Sequence, residues 1–328
     1  MSRSNAWFLV IGLCWVLLFH AATAQEALNG ELGAEDEEAA EVEEPVAPPP
    51  APQDLERVMP SPEQNSFDLE MRYLNQLPAE QFVRLQANGV EFATLWRNQE
   101  TGTPQGAILI VHDNARHQDW PHIVHDLRQY LPVVGWSTLS IALPPLPAPR
   151  VPPRVLDDEE IVPGSAAGFE PDEDYLPMVD ARIEESVNEL IRRGFLNIAL
   201  VGVGSGAYQV TRYLTTNAPE GEGFGFGLIM LDARPQDTAA IMPLLNQLET
   251  PVLDLYLNRS TQSTQAAQQR RAALNRAGQG NNLVQVREQS SSTNYRASPN
   301  VVTRRVWGWL RSNMAGREAD IINNGAAN

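Results

Sequence analysis

The sequence predicts an α/β fold with a mostly parallel central sheet and helices on both faces. Three observations predict it. Near-continuous apolar runs, "GAILIVH" (106–112), "LNIALVGV" (196–203) and "PVLDLYLN" (251–258), have the composition of strands covered on both sides. These runs alternate with stretches of helical periodicity, the chain order that builds parallel crossovers. At "NIALVGVGSGAY" (197–208) an apolar strand runs straight into a glycine turn and a helix.

Taken in order, "FDLEMRYLNQL" (67–77) has helical periodicity and "PAEQFVRLQ" (78–86) reads as a second short helix. "VEFATLWRN" (90–98) alternates like a strand with one wet face, and 106–112 follows as a buried strand. "DWPHIVHDLRQYL" (119–131) is a helix whose apolar stripe is Ile123, Val124, Leu127 and Leu131. "GWSTLSIALP" (135–144) is a strand. Prolines forbid regular structure over most of 144–173, and a loop this long is expected to be a lid or mobile. The pattern resumes with a helix at 174–194 that ends on a glycine cap, strand 196–203 and helix 205–217. Strands at 225–233, 251–258 and 282–289 then alternate with helices at 237–248, 264–278 and 300–314.

The ends of the chain differ from its body. Arg3, the apolar run "AWFLVIGLCWVLLF" (6–19) and "ATA" (22–24) make a secretory signal peptide over 1–24, with the mature chain starting at Gln25. At about 14 residues the apolar run is short of the ~20 that span a bilayer, so no stable membrane span is expected after cleavage. The product is expected to be exported, to the periplasm or beyond the cell. Cys14 is the sole cysteine, which excludes disulfides, thiolate metal sites and cysteine nucleophiles from the mature chain. Residues 26–44 hold nine acids and no base, and "EPVAPPPAPQ" (44–53) follows. The span 25–60 therefore reads as a disordered acidic, proline-rich spacer, 61–315 as the folded domain and 316–328 as a flexible tail. With a net charge of −17 and no clustered basic surface, nucleic acid is excluded as a partner.

This order of elements resembles the α/β-hydrolase fold over about residues 66–314. "LIVHD", the strand–turn–helix "LVGVGSGAY" and the late strand "PVLDLYLN" carry the likeness. "HQDWP" (117–121), "GWSTLSIALP" and "VWGWL" (306–310) further resemble an uncharacterised family of exported bacterial α/β-hydrolase-like proteins. The resemblance implies a crevice at the carboxyl ends of the strands, with any nucleophile mounted on the sharp turn after 196–203.

That turn requires small residues two places before and after the nucleophile, so that strand and helix can approach. With Gly202 and Gly206 as the small residues, the nucleophile position is Gly204, which has no reactive atom. Centring Ser205 instead makes Val203 and Ala207 the flanks, and Val203 is bulky and β-branched. Ser205 is then expected to cap the following helix or sit in its first turn. The resemblance also calls for a histidine after the last strand, yet all five histidines lie at or before position 125. Asp113 stands where hydrolases carry a glycine and would place negative charge where an oxyanion develops. Asp232, at a strand's carboxyl end, faces the expected crevice, whereas Asp254 lies within its strand.

His112, Asp113, His117 and Asp119 cluster beside the crevice, with His122 and His125 beyond, but no H-E-x-x-H spacing occurs. No metal and no cofactor is expected; these residues read as a polar rim. The expected pocket is lined by His112, Asp113, His117, Gly204, Ser205 and Asp232. The main expectation is a catalytically degraded hydrolase-like module that binds a small ligand or an envelope protein. The alternative is an atypical serine hydrolase of ester type that uses Ser205 with His117 as base. A third reading makes the acidic arm a docking segment for a basic partner.

Overall fold

The computed structural model describes residues 62–114, 116–146, 175–219, 223–289 and 300–317. All of them fall in one compact unit, Val58–Asn328. The expected signal peptide and spacer, residues 147–173 of the long loop and residues 318–328 of the tail lie outside the described residues.

Helix α1 (Pro62–Gln76) comes first and begins five residues before the helix expected from periodicity. The second short helix expected at 78–86 is absent. A 3-10 turn at Ala79–Gln81 leads instead into strand β1 (Phe82–Ala87), which pairs antiparallel with β2 (Val90–Arg97). The physical reason is the two-residue connection: Asn88 and Gly89 both take positive φ, 50° and 80°, the geometry that matches the twist of a tight hairpin. Pairing along the whole of β1 overrides a weak local helical preference.

The remaining strands are β3 (Gly106–Val111), β4 (Trp136–Ile141), β5 (Asn197–Val203), β6 (Gly225–Leu231), β7 (Val252–Leu257) and β8 (Leu283–Glu288). They form one eight-stranded sheet in the order β1-β2-β4-β3-β5-β6-β7-β8. Only β2 runs against the rest, antiparallel to both β1 and β4; every other pairing, from β4 to β8, is parallel. The fold class is therefore the expected one.

Helices α2 (Ile123–Tyr130), α3 (Tyr175–Arg192), α4 (Gly206–Thr216), α5 (Thr238–Leu245), α6 (Thr261–Arg276) and α7 (Val301–Asn313) cover the sheet. Alternation along β3 shows how. Ala107, Leu109 and Val111 join a core with Val179 of α3, Val210 of α4 and Ile241 of α5, while Ile108 and Ile110 join Leu127 of α2 and Leu310 of α7. Helix α2 starts four residues later than expected, because residues 119–122 form a turn that ends on His122 at φ 74°.

Asp254 of β7 is fully buried and forms a bidentate pair with Arg270 of α6, both bonds at 2.9 Å. Thr238 and Gln285 complete the set at 3.1 and 2.8 Å. Removing one member of such a pair costs about 3–5 kcal/mol, because a buried charge is left uncompensated. Asp254 is thus a link between elements and stands apart from the crevice. Among the described residues, no helix is long and apolar enough to cross a membrane.

Candidate functional site

A crevice of about 990 Å³ opens at the carboxyl ends of β3, β5, β6, β7 and β8, bounded by the first turns of α2 and α7. Parallel α/β sheets place ligand sites here because the loops diverge from the ends of the strands. Of the residues expected at the pocket, Asp113, Gly204 and Asp232 line this crevice, and His112, His117 and Ser205 lie outside its lining. Backbone strain gathers at the same place. Of the three non-glycine residues with positive φ among the described residues, His122 and Asp232 (φ 51°) line the crevice, and so does Gly204 at φ 60°. Asp232 is held there by the Leu257 N–H at 3.3 Å and by Arg259 at 3.1 Å. Burial raises its carboxyl above the usual range, against the opposing pull of Arg259.

The turn after β5 has the expected register. A Cβ at Gly202 would collide with the backbone of Gly206 and Ala207, and one at Gly206 with the carbonyl of Val111, so both positions must be bare for α4 to pack onto the sheet. Gly204 is the apex. The space in front of it is filled: a Cβ there would collide with the carboxyl of Asp113. That carboxyl comes from the loop after β3. Its Oδ1 accepts from the Ser205 N–H and the Ser205 hydroxyl, both at 2.8 Å, and pairs with Arg234 at 2.8 Å. The Ser205 Oγ in turn accepts the Asn114 N–H at 2.8 Å. Ser205 does stand at the start of α4, but its side chain forms no capping bond. The hydroxyl is engaged by the loop instead, and it is nearly buried.

The histidines have separate tasks. His112 is buried; its Nδ1–H donates to the Asp113 carbonyl at 2.8 Å and its Nε2 accepts the Leu143 N–H at 3.3 Å. Burial pushes its pKa down to about 4. At His117, Nδ1 accepts from the Tyr73 hydroxyl at 2.5 Å and the Asp119 N–H at 3.3 Å, and the ring stands edge-on to Trp120. Burial lowers its pKa as well. Tyr73 of α1 therefore takes the nitrogen that a base would offer to a hydroxyl, and no hydrogen bond joins His117 to Ser205 among the described residues. Asp119 binds Arg128 and, at 3.1 Å, His125. No group of three His, Cys, Asp or Glu side chains converges as a metal-ligand set among the described residues.

A family model described as a protein of unknown function (DUF3530) matches residues 9–312. The chain belongs to that family. No curated protein matches it. Among solved structures, the DUF3530 chain is similar to an esterase of Pyrococcus furiosus at 13% identity and a TM-score of 0.50, covering 71% of this chain and 91% of that one. The esterase Est1E of Butyrivibrio proteoclasticus is similar at 12% identity and a TM-score of 0.49, over 71% and 98% of the two chains. Identity this low speaks to fold: the DUF3530 chain has the α/β-hydrolase fold.

In that fold an oxyanion is held by the N–H after the nucleophile and by an N–H of the loop after β3. Here the corresponding donors of this DUF3530 chain are already used, the Ser205 N–H by Asp113 and the Asn114 N–H by Ser205. The arrangement can hold and orient a ligand against the crevice walls; it presents no free hydroxyl at the apex. Sequence reasoning missed Arg116, Arg234, Arg259, Arg287 and Trp120, all of which line the crevice. A signal existed for two of them. Arg234 and Arg259 lie within three residues of the ends of β6 and β7, where side chains project over a crevice.

Proposed function

We propose that this protein is an exported, non-catalytic member of the α/β-hydrolase fold that binds a ligand or an envelope partner in the crevice above Gly204. One observation carries the reading: the Asp113 carboxyl fills the apex of the turn and accepts the Ser205 N–H at 2.8 Å. A substrate carbonyl placed there would meet a negative charge where its own would develop, which raises the barrier instead of lowering it. The lack of any histidine after position 125 supports the same reading, since no imidazole follows the last strand. The alternative, ester hydrolysis by Ser205 with His117, has less support, because the serine faces Asp113 and the histidine binds Tyr73.

The test is turnover of short-chain aryl esters by purified protein, beside Ser205→Ala and His117→Ala. The expected outcome is no hydrolysis above the buffer rate in any of the three. Activity in the unaltered protein that both substitutions abolish would reverse the assignment. Export is read from residues 1–24, and amino-terminal sequencing of the protein recovered outside the cytoplasm is expected to begin at Gln25. Recovery of an intact Met1 would sink that part.

A further inference from the structure

The charges that line the crevice are unevenly committed. Three of its four carboxylates are ion-paired: Asp113 with Arg234, Asp232 with Arg259, and Glu288 with Arg305 at 2.7 Å; the fourth, Asp126, accepts from the neutral Asn300 amide and forms no ion pair among the described residues. Two of the four lining arginines, Arg234 and Arg259, are thereby neutralised. The other two, Arg116 and Arg287, are exposed and form no ion pair among the described residues. The first turns of α2 and α7 border the same space, and the N–H ends of helices add to the positive sign. Away from the Asp113 carboxylate at the apex, the unpaired charge is therefore two guanidinium groups against the one carboxylate of Asp126, a positive balance.

Between these cations the wall is aliphatic, with Ile123, Val124, Val203, Leu257 and Val302. Trp120, the one indole among the described lining residues, has the Arg116 guanidinium over its ring at 4.0 Å from the centroid. An alkyl chain needs only apolar surface, which this aliphatic wall supplies. At about 990 Å³ the crevice stands at the large end of ordinary ligand pockets.

We infer that the crevice binds an acyl-chain amphiphile with an anionic head, the chain against the aliphatic wall and the head at the Arg116 and Arg287 rim. This inference rests on the ligand-binding reading of the same crevice. A fatty acid and a lipid phosphate share the required chemistry, and the choice of probes separates them.

The full mature chain is titrated in a calorimeter with decanoate, decyl phosphate and decanol, each below its aggregation range, and with acetate and inorganic phosphate as heads without chains. At least one decyl anion is expected to bind about tenfold more tightly than decanol, with acetate and phosphate silent over the same range. Decanoate winning assigns a free fatty acid; decyl phosphate winning assigns a lipid phosphate head. Single rim charges contribute little, so Arg116→Gln or Arg287→Gln alone is expected to weaken the anion only about two- to fivefold. The double charge reversal R116E/R287E is expected to weaken it at least about tenfold and to leave decanol unchanged. An unshifted unfolding midpoint of that variant shows that it is folded.

Equal affinity for decanol and both anions, no loss in the double variant, or no binding of either anion would each overturn the inference. Cleavage of p-nitrophenyl decanoate in parallel tests the non-catalytic reading separately. Turnover sinks that reading alone, while absence of both binding and turnover sinks the ligand assignment alone.

Discussion

At the apex of the turn after β5, the volume that a side chain on Gly204 would need belongs to Asp113. The two residues are therefore coupled. Gly204→Ala places a Cβ at φ 60°, which costs about 1–2 kcal/mol for the left-handed backbone alone, and drives it into the Asp113 carboxyl as well. In an Asp113→Gly background only the backbone part should remain, so a double-mutant cycle by urea unfolding is expected to show a coupling of about 1 kcal/mol or more. Additive effects would mean that the carboxyl moves aside freely. Asp113→Ala probes the other side of the contact. It strips the Ser205 N–H, the Ser205 hydroxyl and Arg234 of their shared acceptor and is expected to cost about 1–3 kcal/mol. Because these donors are held by the backbone of the turn, acetate should bind in the vacated place and raise the unfolding midpoint of the variant but not of the unaltered protein. A variant indifferent to acetate would show that the donors collapse once Asp113 is gone.

Among the elements, the strands buried on both faces were legible because continuous apolar runs admit few other readings, and β3, β5 and β7 fall where those runs predicted. Strand β1 was not legible from periodicity, since "PAEQFVRLQ" suits either a helix or a half-exposed edge strand. The Asn88–Gly89 pair was the available hairpin signal. The register of the turn could be read from glycine spacing, a local steric matter. The partner of Ser205 could not, because it lies 92 residues earlier and arrives only through the packing of β3 against β5. His117 likewise goes to a tyrosine 44 residues away on α1. His112 joins the end of β3 to the segment after β4, with Nδ1–H donating and Nε2 accepting, so a second proton would break the Leu143 contact. Its folded pKa of about 4 lies below the ordinary value of 6.5, so the unfolded chain takes up the proton first. The stability from this group is fully present above pH 6.5 and is lost as pH falls toward 4, by on the order of 3 kcal/mol. Asp232, with its raised pKa, changes stability in the opposite sense over acid pH, so the comparison must be differential. Urea unfolding at pH 7.5 and 4.5 is expected to show a larger drop in the unaltered protein than in His112→Gln. Equal drops would remove His112 as the source.

For the molecule as a whole, negative charge is concentrated in one stretch of the chain. More than half of the net charge of −17 falls in residues 26–44. A stretch with nine acids, no base and a proline-rich sequel offers little apolar surface, and is expected to add little to folding. A chain starting at Ser61 is therefore expected to unfold in one cooperative transition within about 2 °C of the chain starting at Gln25, since a difference of 1 kcal/mol moves a fold of this size by roughly 2–4 °C. Long-range repulsion between the acidic stretch and an acidic body predicts a small sign as well. At low ionic strength the shorter chain should be equal or slightly more stable, and the gap should close at 0.15 M salt, where the screening length is about 8 Å. The same pair of proteins tests the docking reading of the acidic arm. If that reading holds, a basic partner recovered with the longer chain is lost from the shorter one, while affinity for the decyl anions stays the same in both. A midpoint lowered by more than about 4 °C on truncation would instead place residues 25–60 among the groups that hold the folded unit together.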